Sequence, residues 1–271
     1  MSLVEKAIER LARSKSLEGV AATATGFGST PPYGPEAGAG RGSKAFTPKP
    51  DRPPRALDFY SLWAAGMLAA EHERKIFSQI FRGIKRPILA NMTAREDGAS
   101  EAARGNIVTV ASTMPGDGKT FTTINLALSL ALERDKQVVL VDGDVVKREL
   151  SRRLGFSEEP GLIELLEDPA KSVDHYLIHT TTPNLAVLPA GLGDSIHATE
   201  LLSSSRMRNL VSQFSSSRDV LVLFDSPPLL LTTESRAIAE VAGQVLLVLR
   251  EGVTTKDMLE RALPMLQACP R

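Results

Sequence analysis

Between Asn106 and Ala131 the chain reads NIVTVASTMPGDGKTFTTINLALSLA, and the residue types at the centre of this stretch are those that hold phosphate. Thr113, Met114, Pro115, Gly116, Asp117, Gly118, Lys119, Thr120 and Phe121 form the candidate binding loop. Gly116 and Gly118 let backbone N–H groups turn inward as an anion nest. Lys119 can reach β- and γ-phosphates, and the Thr120 hydroxyl can hold Mg²⁺. The spacing follows G-x-x-x-x-G-K-[ST] except at its first position, where Thr113 replaces glycine. The chemistry implied is binding of a nucleoside triphosphate; the plainer alternative is a glycine-rich turn ahead of a core helix.

Three carboxylates extend that chemistry. QVVLVD (Gln137 to Asp142) and DVLVLFD (Asp219 to Asp225) are apolar runs of strand length that close on aspartates, and Asp144 follows the first by two residues. Phosphoryl transfer needs charge neutralised and a nucleophile oriented, with little covalent work from the protein. Asp225 has the placement of a Walker B carboxylate, and Thr120, Asp142 and Asp225 make up the expected metal set. Asp142 and Asp144 are placed to orient metal-bound water or to accept a hydroxyl proton, so that with Lys119 they form the expected catalytic group.

These side chains need a sheet to bring them together, and the pattern supplies one. Ile107 to Ala111 reads as a strand, and Ile124, Ala127, Leu128 and Ala131 continue with helical spacing. Further strands are expected at 137–142, 185–189, 219–225 and 244–249, alternating with helices at 150–154, 162–166, 198–214, 235–241 and 255–268, the last bent at Pro264. Such alternation predicts an α/β fold, a mostly parallel doubly wound sheet with helices on both faces, and a ligand at the carboxyl ends of the strands. Ahead of it, one helix is expected around Phe59, Leu62, Trp63 and Met67, and another from His72 to Lys85, ending at Arg86-Pro87. The second carries Phe77, Ile80, Phe81 and Ile84 as its apolar stripe, for packing on the core or on another subunit.

Residues 15–56 are rich in Gly, Pro, Ala, Ser and Thr and read as a disordered linker, with a P-loop domain from 57 to 271 after it and its nucleotide core at 104–271. Residues 1–14 form a short amphipathic helix, either a docking element or a marginal tail. The formal charge balances, 32 basic against 32 acidic residues, so no broad basic field recruits nucleic acid. A single cysteine, Cys269, excludes an intrachain disulfide and fits a reducing compartment. Glu5 and Glu9 interrupt any signal sequence, and no apolar run approaches the ~20 residues of a membrane span. A cytoplasmic protein is expected, with any place at the inner face of the membrane owed to a partner.

PGDGKT at Pro115 to Thr120, VVLVDGD at Val138 to Asp144 and VLVLFDSPP at Val220 to Pro228 resemble the Walker A, Walker A′ and Walker B motifs of the bacterial tyrosine kinases. ATELLSSSRMRNLV, IKRPILAN and the opening MSLVEKAIERL resemble the subgroup associated with exosortase and exopolysaccharide gene clusters. The resemblance implies a P-loop fold, ATP and Mg²⁺ as cofactors, and tyrosine phosphorylation of a protein substrate or of the chain itself. It also implies a membrane-anchored polysaccharide co-polymerase as activator and assembly into a homo-oligomer. The sequence departs from the family at Val146, where an arginine is usual, and at Gln79, which replaces the acid of a ring-assembly motif continued at Arg82 and Lys85. The family's C-terminal tyrosine cluster and last strand are not found before Arg271, so either a truncated C-terminal end is expected or a member that lacks the cluster; the tyrosines are Tyr33, Tyr60 and Tyr176. Two rival readings remain: a partitioning or positioning ATPase, disfavoured by Met114 where that group carries lysine, and a catalytically silent nucleotide-binding scaffold.

Overall fold

The computed structural model describes residues 52–93, 104–168, 170–217 and 219–266. The helix expected over residues 1–14, most of the linker, Tyr33, Cys269 and the end of the last helix lie outside these. The first half runs α1 (Phe59–Ala64), α2 (Arg74–Thr93), β1 (Ile107–Ser112), α3 (Lys119–Leu130), β2 (Gln137–Asp142), α4 (Glu149–Leu154) and α5 (Leu162–Glu167). The second half runs β3 (Ile178–His179), β4 (Leu185–Leu188), α6 (Ala198–Leu202), α7 (Ser205–Ser215), β5 (Val220–Asp225), α8 (Glu234–Val241), β6 (Gln244–Val248) and α9 (Lys256–Ala262).

The strands form one sheet in the order β3-β4-β2-β5-β1-β6, parallel throughout except where β3 runs against β4. The long apolar runs are explained by burial on both faces. Ile107, Val139, Val141, Val220, Val222 and Phe224 face one layer, built with α5, α6, α7 and α8. Their neighbours Val108, Val138, Leu140, Leu221 and Leu223 face the other, built with α2, α3 and α4. Alternation with period two therefore feeds two cores from the same strands. Each of these side chains is buried, at roughly 1.5–3 kcal/mol of transfer free energy apiece. Register then does the positioning: Asp142 pairs with Asp225 across β2 and β5, while Val110 of β1 pairs with Asp225 from the other side. Both aspartates thus stand level at the carboxyl edge.

Several expectations are corrected. α2 does not stop at Pro87 but runs through it to Thr93. The ring of Pro87 would press on the carbonyl of Gly83, which carries no side chain and has open space around it, and buried Ile88 with Leu89 and Met92 packs on the core beyond the proline. Ile80 is not part of the packed stripe: it is 49% exposed, while Phe81 is buried and Phe77 stacks edge-on against Phe121. Lys85 turns inward to Glu133 at 2.7 Å and to the Ser129 carbonyl at 3.0 Å.

The helix expected over 198–214 is two helices, because the Ser204 hydroxyl accepts the Met207 N–H and caps a new start at Ser205. The last helix ends at Ala262 and tightens into a 3₁₀ turn over Leu263–Leu266 around Pro264. The short antiparallel strand β3 was not expected at all. Arg55 bridges to its end, donating its N–H to the His179 carbonyl at 2.8 Å. Among the described residues no helix is long and apolar enough to cross a membrane.

Candidate active site

The loop between β1 and α3 is shaped by two glycines at positive φ, Gly116 at 83° and Gly118 at 97°, where a side chain would be strained. Its first residue is held differently from the expected glycine. The Thr113 hydroxyl donates to Asp117 Oδ2 at 2.9 Å, and the same oxygen accepts the Met114 N–H at 2.9 Å. Asp117 is therefore a staple inside the loop, and Thr113 in place of glycine is what it grips. None of the backbone N–H groups of Gly116, Asp117, Gly118, Lys119 and Thr120 has a hydrogen-bond partner among the described residues. Five unpaired donors at a helix start form a binding site for anionic oxygens.

Lys119 is 8% exposed at the first turn of α3. Burial lowers the pKa of its ammonium, while Asp225, Asp144 and Asp117 act in the opposite direction. Asp225 is fully buried, and burial pushes its pKa up to about 6 despite the Thr120 hydroxyl at 2.7 Å, nearby Lys119 and the Thr123 hydroxyl at 3.0 Å. Asp142 rises to about 7 through burial and the facing charge of Asp225, against two bonds from Ser151. Those bonds run from the Ser151 N–H at 2.8 Å and its hydroxyl at 2.7 Å to Asp142 Oδ2, while Oδ1 accepts the Asp144 N–H at 3.2 Å. Asp144 is also raised by burial, held back by the Lys147 N–H at 3.1 Å.

The site thus carries more buried carboxylate than cation, and that shortage is what a divalent metal would fill. Thr120 and Asp225 stand together as candidate ligands. A hydroxyl and a carboxylate are oxygen donors of the kind Mg²⁺ takes, one or two from the protein and the rest from phosphate oxygens and water. The residues present fit such a group.

Lys119, Thr120, Asp144 and Asp225 are brought together as expected, and Asp142 stands one strand over with both oxygens engaged by the chain. Beside Asp144 lies a cleft of about 400 Å³ whose walls include Val146, Lys147, Pro228, Leu231 and Glu234. Two neighbours of the loop and the acidic edge were not anticipated. Ser151, nine residues after Asp142, shows no motif and could be found only by knowing that α4 returns to the sheet edge. Arg250, after β6, brings its guanidinium beside Gly116: a Cβ built there would lie 3.7 Å from Arg250 Nη1.

The AAA domain family matches residues 105–264, more than half of the chain. The tyrosine-protein kinase ptk of Acinetobacter johnsonii is 34% identical over 165 residues, covering 61% of this chain and 22% of that protein. The chain therefore spans about a fifth of the length of that relative. Tyrosine-protein kinase YwqD of Bacillus subtilis is 30% identical over 162 residues, 60% of this chain and 67% of its own length. Among solved structures, the kinase domain of the Escherichia coli tyrosine kinase ETK superposes with a TM-score of 0.59 at 25% identity, covering 70% of this chain and 71% of that one. With its loop, its paired strand-end aspartates and these relatives, the chain belongs to the AAA domain family of P-loop NTPases, in its bacterial tyrosine kinase branch.

Proposed function

We propose that the chain is the catalytic domain of an ATP-dependent protein tyrosine kinase regulating exopolysaccharide synthesis or export, of the exosortase-associated subgroup. The observation that carries this reading is the run of five unpaired N–H groups facing a carboxylate-rich edge around Lys119. In this reading the loop N–H groups and Lys119 bind the β- and γ-phosphates, and Thr120 with Asp225 holds Mg²⁺. The metal, when bound, neutralises charge on the phosphate oxygens. Asp144, 8% exposed and beside the open cleft, takes the proton of the incoming tyrosine hydroxyl. Its raised pKa brings it closer to the operating range of a general base. Asp142, bonded to Ser151, holds the adjoining turn and the Asp144 backbone in place.

ExoP, a succinoglycan biosynthesis transport protein of Rhizobium meliloti that is 27% identical over 198 residues, supports the link to polysaccharide. The activator is proposed to be a membrane-anchored polysaccharide co-polymerase, which would bring this domain to the inner face of the cytoplasmic membrane, and the substrate a tyrosine-bearing protein or a second copy of the chain. Incubation with labelled ATP and Mg²⁺, followed by phosphotyrosine blotting with and without a tyrosine-rich peptide, tests the activity. Phosphotyrosine that depends on Lys119 supports it; phosphate release with no transfer to any tyrosine refutes it in favour of a positioning ATPase.

A further inference from the structure

Arg250 has no part in the motifs, yet its position is tied to the phosphate loop. β6 runs parallel to β1 with Val248 level with Ser112, so Arg250, two residues further on, leaves the sheet at the edge where the phosphate loop begins. Its backbone is anchored there. The Arg250 N–H donates to the Thr254 hydroxyl at 2.9 Å, and its carbonyl accepts the N–H groups of Val253 at 3.1 Å and Thr254 at 2.8 Å. Gly252, at a φ of 72°, closes this turn.

The side chain is left for something else. It is exposed, and among the described residues its guanidinium has neither a hydrogen-bond nor an ion-pair partner. A Cβ built on Gly116, one of the loop positions whose N–H is unpaired, would nonetheless lie 3.7 Å from its Nη1. An exposed arginine usually spreads into water or pairs with a neighbouring acid. Here it sits over an anion nest whose other cation, Lys119, is already shared among three carboxylates.

We propose that Arg250 is a nucleotide-contacting residue: its guanidinium closes on the triphosphate from the loop after β6, as a second cation opposite Lys119. The planar fork matches two phosphate oxygens at once, which an ammonium does not. A triphosphate with one Mg²⁺ keeps net negative charge, and Lys119 alone does not offset it among Asp117, Asp144 and Asp225. Gly116 is favoured there by its φ of 83°, and a Cβ built on it would come into ordinary van der Waals contact with the guanidinium. The proposal rests on the nucleotide reading of the loop given above.

Binding of ATP and of inorganic tripolyphosphate, each with Mg²⁺, is measured by calorimetry on the full chain and on its Arg250→Met, Arg250→Lys and Lys119→Met variants. Arg250→Met is expected to weaken both ligands by the same factor, about tenfold or more, with Arg250→Lys in between and the melting temperature unchanged. A change under about twofold for both ligands overturns the proposal, because the side chain is then merely solvated. Weaker ATP binding with unchanged tripolyphosphate binding also overturns it, because the contact is then to the base. Lys119→Met separates the two levels: if it binds ATP as the wild type does, the nucleotide reading of the loop itself fails. If it loses ATP while Arg250→Met does not, only the assignment of Arg250 fails.

Discussion

Replacing Ser151 by alanine tests the carboxyl edge most directly. The hydroxyl donates to Asp142 Oδ2 at 2.7 Å and accepts the Ala190 N–H at 3.0 Å, in a residue only 2% exposed, so water cannot take its place. Losing the bond to the carboxyl group costs roughly 1.5–3 kcal/mol, and the orphaned Ala190 N–H roughly 1–3 kcal/mol more. Even about 3 kcal/mol, toward the lower end of that roughly 2.5–6 kcal/mol sum, lowers the melting temperature by about 6–12 °C in a domain of this size. The loss also depends on pH. Asp142 titrates at about 7 in the fold against an ordinary 3.8, so between those values the folded chain binds more proton than the unfolded one, and stability falls as pH rises through that window. Ser151 is one of the groups holding the folded value down. Without its hydroxyl the value climbs further, the window extends upward, and the mutant's deficit is larger at pH 8 than at pH 6. Thermal unfolding of the nucleotide-free chain, followed by circular dichroism at both pH values, reads this out, with Asp142→Asn as the control that flattens the pH dependence. A drop under about 2 °C, or a deficit equal at the two pH values, would refute the coupling between Ser151 and Asp142.

Lys119→Met should abolish phosphoryl transfer and most ATP affinity with the fold intact; turnover within about tenfold of wild type, a barrier change of only ~1.4 kcal/mol, sinks its assignment. Asp225→Asn should remove the Mg²⁺-dependent thermal stabilisation by ATP. It should leave the nucleotide-free chain at least as stable at pH 8, because the amide oxygen keeps one of the two threonine hydroxyl bonds, the amide N–H can donate to the other hydroxyl oxygen, and the buried charge is gone; a retained metal-dependent shift counts against it. Tyr60, despite its apolar neighbours, is 57% exposed, whereas Tyr176 is 4% exposed under His175 and Lys171. Phosphopeptide mass spectrometry after incubation with Mg-ATP should find label on Tyr60 or on an added tyrosine-rich tail, and stoichiometric label on Tyr176 would contradict the packing.

The strand, loop and helix around Lys119 were legible because their signals are local. Two glycines in six residues, a β-branched run before them and a 3.6-residue apolar period after them leave little choice of conformation. The apolar strands ending at Asp142 and Asp225 were legible for the same reason: burial on both faces removes polar residues until the strand emerges at the edge where ligands bind. From Glu149 to Val248 the elements fall close to where periodicity places them, apart from the break at Ser204 and the two-residue β3, too short for any period to show.

What the tertiary structure decided are the pairings that no spacing encodes. The Thr120 hydroxyl meets a carboxylate 105 residues away only because β5 inserts between β1 and β2. Asp142 ends with both oxygens hydrogen-bonded to the chain because α4 folds its first turn back under the sheet edge, a contact that its spacing from Ser151 does not announce. Tyr60 and Ile80 share apolar patterns with buried neighbours and nevertheless face outward, and Pro87 stays inside a helix because the core beyond it is worth more than the lost hydrogen bond. A sequence states which residues prefer to be buried and which conformations they tolerate. Which of them meet, and what charge each then carries, depends on the order of strands and on the energy of burying one group against another far along the chain.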